Sequence, residues 1–265
     1  MKLGISGSAA ELLQYSELWP GIRAFPVHFQ INKVTDAPYE DKNGFQKAID
    51  HLRGLCPQAE FSMHAYKCNL AEKTPRIREA WLNIARETLE VAGSLGMRFV
   101  NFHLGWGTGG TRIKHVFYRD ALTPVLRDLA EAGRGYGVEV HLENLYPQPL
   151  HSGIQMLGDR PSDFEHWFRE IDSPWLKLCY DYGHGNLDEY GMEILRRCSS
   201  RLGSLHVHDN DQMNDLHGAV AEGTIDWERE LRFLEQISFS GPFILEARPE
   251  IQVESLRRLV DSGWF

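Results

Sequence analysis

The sequence predicts a single-domain α/β protein, a closed parallel (β/α)8 barrel over residues 1–265, and three observations lead there. Strand and helix patterns alternate eight times along the chain, the order expected of a parallel sheet wrapped by helices. The length of 265 residues suits one barrel of this kind. Imidazoles and carboxylates fall at the C-terminal ends of six predicted strands, the face where such TIM barrels carry their chemistry.

Leu3 to Ser6 reads as the first strand, followed by a helix from Ala9 to Leu18. Ile22 to Phe29 is apolar enough for the second strand, with Pro26 marking an irregularity. Asn43 or Gly44 opens a helix that stops at Leu55 before Pro57, and Glu60 to His64 is the third strand. Pro75 suits the first turn of a helix whose apolar residues Ile77, Trp81, Ile84, Ala85, Leu89 and Ala92 recur at helical spacing. Met97 to His103 is the fourth strand, and the glycine-rich loop from Gly105 to Gly110 reads as a lid. A helix from Val116 to Gly133 tolerates Pro124, and the fifth strand, Gly137 to Glu143, ends in a carboxylate. After a long loop over Asn144 to Arg160 come a helix from Pro161 to Ile171 and the sixth strand, Trp175 to Asp181. A helix from Asp188 to Cys198 precedes the seventh strand around Leu205 and Val207. Asp226 caps a helix reaching Ile237, Gly241 to Glu246 is the eighth strand, and Gln252 to Ser262 closes the chain as a helix.

With 42% hydrophobic and 25% charged residues the composition is that of a globular protein, and the net charge of −9 disfavours nonspecific binding to nucleic acid or anionic membranes. Cys56, Cys68, Cys179 and Cys198 are widely spaced, which argues for buried thiols rather than a disulfide framework or zinc knuckle. No apolar run approaches a membrane span or the core of a signal peptide, so a cytoplasmic location is expected.

The densest chemistry lies in Ser204-Leu-His-Val-His-Asp-Asn210, followed by Asp215-Leu-His217. Neutral imidazoles and carboxylates suit a borderline divalent ion such as Zn²⁺, Mn²⁺ or Fe²⁺. The strand ends supply His64, His103, Glu143, Asp181 with His184, His206, Asp215 with His217, and Glu246 as candidate ligands. His208 is expected to pack behind the barrel wall. Trp106, in the lid loop, is the candidate for stacking on substrate, and Arg248 could meet a phosphate or carboxylate.

At these residues the chain resembles the xylose-isomerase-like barrel superfamily (AP endonuclease family 2), and within it endonuclease IV. The resemblance runs from about Phe61 to Glu246. It rests on His64 in Ser-Met-His-Ala-Tyr with the following Asn69-Leu70, Asn101-Phe-His103, Glu143-Asn144, Asp181-x-x-His184, His206-x-x-Asp209, Asp215-x-His217 with Glu222-Gly-Thr-Ile225, and Leu245-Glu246. In that family nine residues hold three zinc ions, and the matching positions here carry the expected ligand types: His64, His103, Glu143, Asp181, His184, His206, Asp215, His217 and Glu246. The departures concern substrate. Lys67 stands where the family has tyrosine, with Tyr66 one place early, and the loop Gln30 to Pro38 holds one cation, so duplex DNA is disfavoured.

The resemblance implies first a metal-dependent phosphoester hydrolase. Glu143 and Glu246 would bridge two ions, and His184 would help to hold a third, on Asp215 and His217, that stabilises the leaving oxygen. The alternative is a sugar or sugar-phosphate isomerase or epimerase with one Mn²⁺-like ion on Glu143, Asp181, His206 and Glu246, the two glutamates exchanging a proton with carbon. A non-catalytic metal-binding barrel is the third reading. Tyr66, Lys67, Trp106, Asn144 and Arg248 are expected to contact substrate, a small anionic or sugar-like molecule.

Overall fold

The computed structural model describes residues 1–21, 26–32, 35–108, 115–148 and 153–265. Its strands are β1 (Lys2–Gly7), β2 (His28–Asn32), β3 (Glu60–His64), β4 (Phe99–Phe102), β5 (Trp106–Thr108), β6 (Glu139–Glu143), β7 (Ile154–Met156), β8 (Leu176–Asp181), β9 (Leu202–Val207) and β10 (Pro242–Leu245). Eight of them close a parallel barrel in the order β1, β10, β9, β8, β6, β4, β3, β2. The other two, β5 and β7, pair antiparallel as a small separate sheet.

The helices are α1 (Ala9–Leu13), α2 (Tyr15–Leu18), α3 (Pro38–Leu55), α4 (Pro75–Ser94), α5 (His115–Tyr136), α6 (Pro161–Ile171), α7 (Tyr182–Asn186), α8 (Gly191–Cys198), α9 (Trp227–Gln236) and α10 (Pro249–Asp261). Outward-facing strand residues such as Ile5, Phe29, Phe61, Val100, Val140, Leu178, Leu205 and Phe243 are buried against helix residues such as Ile49, Ala85, Leu126, Phe164 and Leu256. That shell is the hydrophobic core, and it leaves the inward positions free to be polar. Among the described residues no helix is long and apolar enough to cross a membrane.

Four elements differ from the sequence expectation. The second strand lies at His28–Asn32 rather than 22–29; residues 22–25 lie outside the described residues. Its inward positions His28 and Gln30 and its last residue Asn32 are polar, so its apolar signal is weak. The third helix begins at Pro38, which occupies the first turn, five residues before Asn43. The expected first helix breaks at Gln14 into α1 and α2. The start of the expected lid, at Trp106–Thr108, is strand β5, held by Ile154–Met156 from the long loop; residues 109–110 lie outside the described residues.

The barrel floor is a layered polar stack. His28 and His141 are fully buried and flank Phe99, with ring centroids 5.4 Å and 4.0 Å from it. Each imidazole meets a serine at 2.8 Å, Ser62 and Ser204 respectively. Below them Glu60 binds Lys2 at 2.6 Å and Arg98 at 2.9 Å, and Glu139 binds Lys177 at 2.7 Å. Burial pushes the His28 imidazole down and that of His141 down to about 4. For Glu139, burial pushes the carboxyl up but His141 and Lys177 outweigh it, bringing it to about 2.

This stack makes the fold acid-sensitive. In the unfolded chain an imidazole protonates near 6.5, while in the barrel His141 holds out to about 4. The folded form therefore binds fewer protons between these values, and the stability it gains above pH 6.5 is lost as pH falls, about 3 kcal/mol for His141. Glu139 adds a further loss below its ordinary value of 4.5. The urea midpoint of wild type is expected to fall steadily below about pH 6.5, and that of a His28→Gln, His141→Gln double variant to stay flatter until the carboxylates titrate. Parallel curves for the two proteins would contradict this reading.

Candidate metal centre and active site

Six barrel strands deliver a ligand-type side chain at or just past their C-terminal ends: His64, His103, Glu143, Asp181, His206 and Glu246. Alternation along a strand sends every second residue inward. The registers Asn32 with His64, Glu143 with Cys179 and Asp181 with His206 bring those inward residues to similar depth.

Three groupings result, the second wholly buried and the other two partly: His64, Glu143, His206 and Glu246; Asp181, His184 and His208; and His208, Asp215 and His217. Within each, the ligand atoms lie within 4.8 Å of one another. Glu143 is at the centre, with Oε2 3.4 Å from His64 and from His206, and Oε1 3.3 Å from His103 and from His184. His206 Nδ1 approaches Glu246 Oε2 to 2.5 Å and Asp181 Oδ2 to 3.9 Å.

The donor set fits a divalent cation on two counts. First, His64, His184 and His217 each place Nδ1 on a backbone carbonyl, of Ala65, Asn144 and Glu246, at 3.0, 2.9 and 2.8 Å. That fixes the ring and leaves Nε2 for a ligand, the usual arrangement behind a metal-binding imidazole. Second, beyond ion-pair contacts with one another such as His206 with Glu246 and His208 with Asp181, both nitrogens of His206 and of His208, Asp181 Oδ2, Asp215 Oδ1 and Glu246 Oε2 are buried without a well-formed hydrogen bond among the described residues. Orphaned polar atoms converging on one volume are costly unless a further charge satisfies them.

Electrostatics point the same way. Burial alone would push Glu143, Asp181 and Glu246 up, yet the surrounding imidazoles hold each below its ordinary value. Burial also opposes charge on the histidines, but the carboxylates raise His64, lift His184 well above the ordinary imidazole range and bring His217 up to about 9, while Cys179, followed by Glu246 and Glu143, lifts His206 well above that range. The cluster demands positive charge. Protons and a divalent ion compete for the same nitrogens, so metal affinity weakens as pH falls.

The loop after β9 is built to hold its two candidate ligands over the others. Asp209 and Gly218 exchange backbone hydrogen bonds at 3.0 and 2.8 Å, pinning the base of the excursion that carries Asp215 and His217. The Asp209 side chain accepts from Trp227 Nε1 at 2.8 Å, so this aspartate braces the loop. His217 sits at φ 48°, a left-handed conformation that a side chain adopts at some cost and that the pinned loop imposes.

The structure brings all nine expected ligand positions to one face and adds a tenth candidate. His208, expected behind the barrel, is fully buried with Nε2 3.2 Å from Asp181 and 3.8 Å from Asp215, and stacks on His217 at 3.9 Å. Residues two apart in a strand share a face, so the spacing from His206 was the signal for its position. A side chain at Gly183 would overlap the His208 ring, which explains the glycine between Asp181 and His184. Asn101, the inward residue before His103, donates from Nδ2 to Glu143 Oε2 and orients that carboxylate. Tyr146, in a loop where periodicity offers no signal, lies 5.3 Å from the His184 ring.

Of the expected substrate contacts, Tyr66 and Lys67 line a cavity of about 450 Å³ together with His64, His103, Glu143, His184, Asp215, His217 and Glu246. Trp106 is in β5, its N–H donating to Asn69 at 2.9 Å, and is not among the residues lining that cavity. Asn144 is fully buried; its Nδ2 donates to the Asp181 carbonyl at 3.0 Å and its Oδ1 accepts from the Asp181 N–H at 2.7 Å. It braces β6 against β8 and is not among the residues lining the cavity. Arg248 is largely exposed at the rim of an adjoining cavity.

A family model described as "Xylose isomerase-like TIM barrel" matches residues 21–261. The chain belongs to the xylose isomerase-like TIM barrel family. Among curated proteins in the comparison is the uncharacterized protein MJ1311 of Methanocaldococcus jannaschii, 26% identical over 196 residues, covering 71% of this chain and 64% of that protein. The chain thus spans slightly less than two thirds of that relative. Solved structures of the same fold include a D-tagatose 3-epimerase-like protein, with TM-score 0.82, 24% identity and coverage of 100% of this chain and 97% of the other. A second is the 3-keto-D-glucoside 4-epimerase YcjR from E. coli, with TM-score 0.77, 17% identity and coverage of 98% and 99%.

Proposed function

We propose that this xylose isomerase-like barrel is a divalent-metal-dependent epimerase or isomerase of a small keto sugar, reversing the order in which the sequence ranked hydrolysis and epimerisation. The observation that carries the reading is the paired glutamates. Glu143 and Glu246 project from well-separated strands, β6 and the end of β10, into one cavity, with carboxylate oxygens within 4.8 Å of each other and of His206. The two similar structures named above are a D-tagatose 3-epimerase-like protein and a 3-keto-D-glucoside 4-epimerase, names that denote inversion at one sugar carbon. That shared chemistry needs two proton-transfer groups on opposite sides of one carbon.

Glu143, Asp181, His206 and Glu246 would hold the ion. When bound, the ion polarises the substrate carbonyl and so acidifies the neighbouring C–H bond. Glu143, as carboxylate, takes the proton from one face of that carbon, and the electron pair moves toward the carbonyl oxygen. Glu246, which the surrounding imidazoles favour as the carboxylate, takes up a proton, returns it to the opposite face and becomes the carboxylate again. The configuration inverts, and Glu143 releases its proton to solvent before the next turnover. Asn101 fixes Glu143, while His206 Nδ1 lies against the Glu246 carboxylate, so neither base has to be repositioned during the step.

Elemental analysis of wild type beside His103→Ala separates this from the trinuclear hydrolase. His103 touches Glu143 but lies outside the His64, Glu143, His206, Glu246 grouping. About one tightly held ion, retained in the variant, is expected for the epimerase. About three zinc ions, falling on mutation, together with hydrolysis of a phosphodiester, would overturn it.

A further inference from the structure

The two carboxylate oxygens of Asp181 are held differently. Oδ1 accepts from the His184 N–H at 2.7 Å and lies 3.2 Å from His208 Nε2. Oδ2 is buried without a well-formed hydrogen bond among the described residues. The Asp181 backbone is fixed by Asn144, which takes both its N–H and its carbonyl. The rotation of the carboxylate about its own side chain is a separate matter, and it depends on the peptide group between Gly183 and His184.

That peptide group is held at both ends. Its N–H is the donor to Asp181 Oδ1, and its carbonyl, on Gly183, accepts from Asn210 Nδ2 at 2.7 Å. Asn210 is 2% exposed and reaches across from the segment after β9. Its Oδ1 accepts from Asn186 Nδ2 at 2.7 Å and from the Gln212 N–H at 3.1 Å, which leaves the amide one orientation. Its backbone carbonyl accepts from the Thr224 N–H at 3.0 Å and the Thr224 hydroxyl at 3.2 Å. A side chain at Gly223 would come within 2.2 Å of that carbonyl, so glycine is needed for the chain to pass so close. Asn210 is therefore anchored on its own side before it reaches Gly183. Hydrogen bonds in series through one peptide strengthen each other, so the amide and the carboxylate are linked although they do not touch.

We infer that Asn210 is a positioning residue for the metal centre. Its amide orients the Gly183–His184 peptide so that the N–H engages Asp181 Oδ1 and Oδ2 is the oxygen left for the ion. The inference rests on the metal-binding part of the proposed function and not on the reaction. Asn210 is not among the residues lining the cavity, so it acts through the peptide and not on substrate. Removing a partner of this kind costs about 10–100-fold in metal affinity.

Two variants separate this role from simple bracing of the loop. Asn210→Ala removes the bond to Gly183 and those on Oδ1, whereas Asn186→Ala removes a bond on Oδ1 and leaves Gly183 held. Mn²⁺ affinity, measured by calorimetry at fixed pH, is expected to fall about 10–100-fold in Asn210→Ala and to stay near the wild-type value in Asn186→Ala. The absorption spectrum of Co²⁺-loaded protein, which reports ligand geometry, should shift in the first variant only. Thermal unfolding checks that each barrel is intact, and Asn210→Ser, with its shorter side chain, takes the place of the alanine variant if that does not fold. Wild-type Mn²⁺ affinity and Co²⁺ spectrum in a folded Asn210 variant would overturn the inference. An equal loss in Asn186→Ala would do the same, since loop bracing would then be the cause. Wild type that takes up neither ion sinks the metal reading and this inference together. If the affinities behave as expected while no ketose is epimerised, Asn210 keeps its role and the epimerase reading fails.

Discussion

Glu143→Gln and Glu246→Gln are each expected to cut epimerisation by about 10²–10⁴-fold, the range that a positioned general acid or base supplies. The amide keeps an oxygen ligand and the shape of the side chain but can neither take nor give the proton. The two losses should not multiply. Each inversion needs one glutamate to take a proton and the other to give a different one, so removing either interrupts the same step, and the double variant should be little worse than the singles. Turnover measured by product chromatography, with metal content measured on the same samples, checks this. A glutamine variant that retained its ion and epimerised at near wild-type rate would remove that glutamate from the proton path.

The second large effect is on stability. Four carboxylates, Glu143, Asp181, Asp215 and Glu246, are brought together largely out of solvent, and the imidazoles around them have orphaned nitrogens. An ion bound at concentrations 100 to 1,000 times its dissociation constant stabilises the native state by about 3–4 kcal/mol. For a chain of this size that corresponds to roughly 5–15 °C in Tm. Treatment with a chelator is expected to lower Tm by that amount and readdition of Mn²⁺ to restore it. His206→Ala should start at a lower Tm and no longer respond to the chelator, because His206 lies between Glu143, Asp181 and Glu246. A wild-type Tm indifferent to chelation would mean that protons on the raised histidines balance the carboxylates unaided.

Why was so much of the site legible in the sequence? A barrel strand with an apolar outer face and a histidine or carboxylate at its end leaves two marks at once, a β pattern and a chemical group where the β pattern stops. His64, Glu143, Asp181 and His206 all have both marks, and the closed barrel carries them to one rim. The second strand had neither. Its inward positions His28 and Gln30 and its last residue Asn32 hide the alternation, and its contribution to the rim is an asparagine that no metal motif would flag.

Long-range packing accounts for the remaining differences. Asn144 looked like a substrate ligand because it follows Glu143, but the neighbouring strand captures its whole amide through Asp181. Trp106 looked like part of a free lid because its partner strand, Ile154–Met156, lies far along the chain. Asp209 follows a histidine-rich strand end yet serves Trp227 and the loop backbone. In each case the residue type was read correctly as polar or aromatic, and its partner was fixed by a contact that local spacing does not encode. His208 is the opposite case, since the period of two already placed it beside His206.

The central claim is that Glu143 and Glu246 exchange a solvent-derived proton with a carbon next to a ketone. The most direct measurement is incubation of the Mn²⁺-loaded protein with a set of five- and six-carbon ketoses in D2O, followed by NMR of recovered substrate and product. Deuterium at the single carbon adjacent to the carbonyl, absent with Glu143→Gln, is the result this account predicts. No exchange at carbon on any ketose, together with metal-dependent cleavage of a phosphodiester, would contradict it.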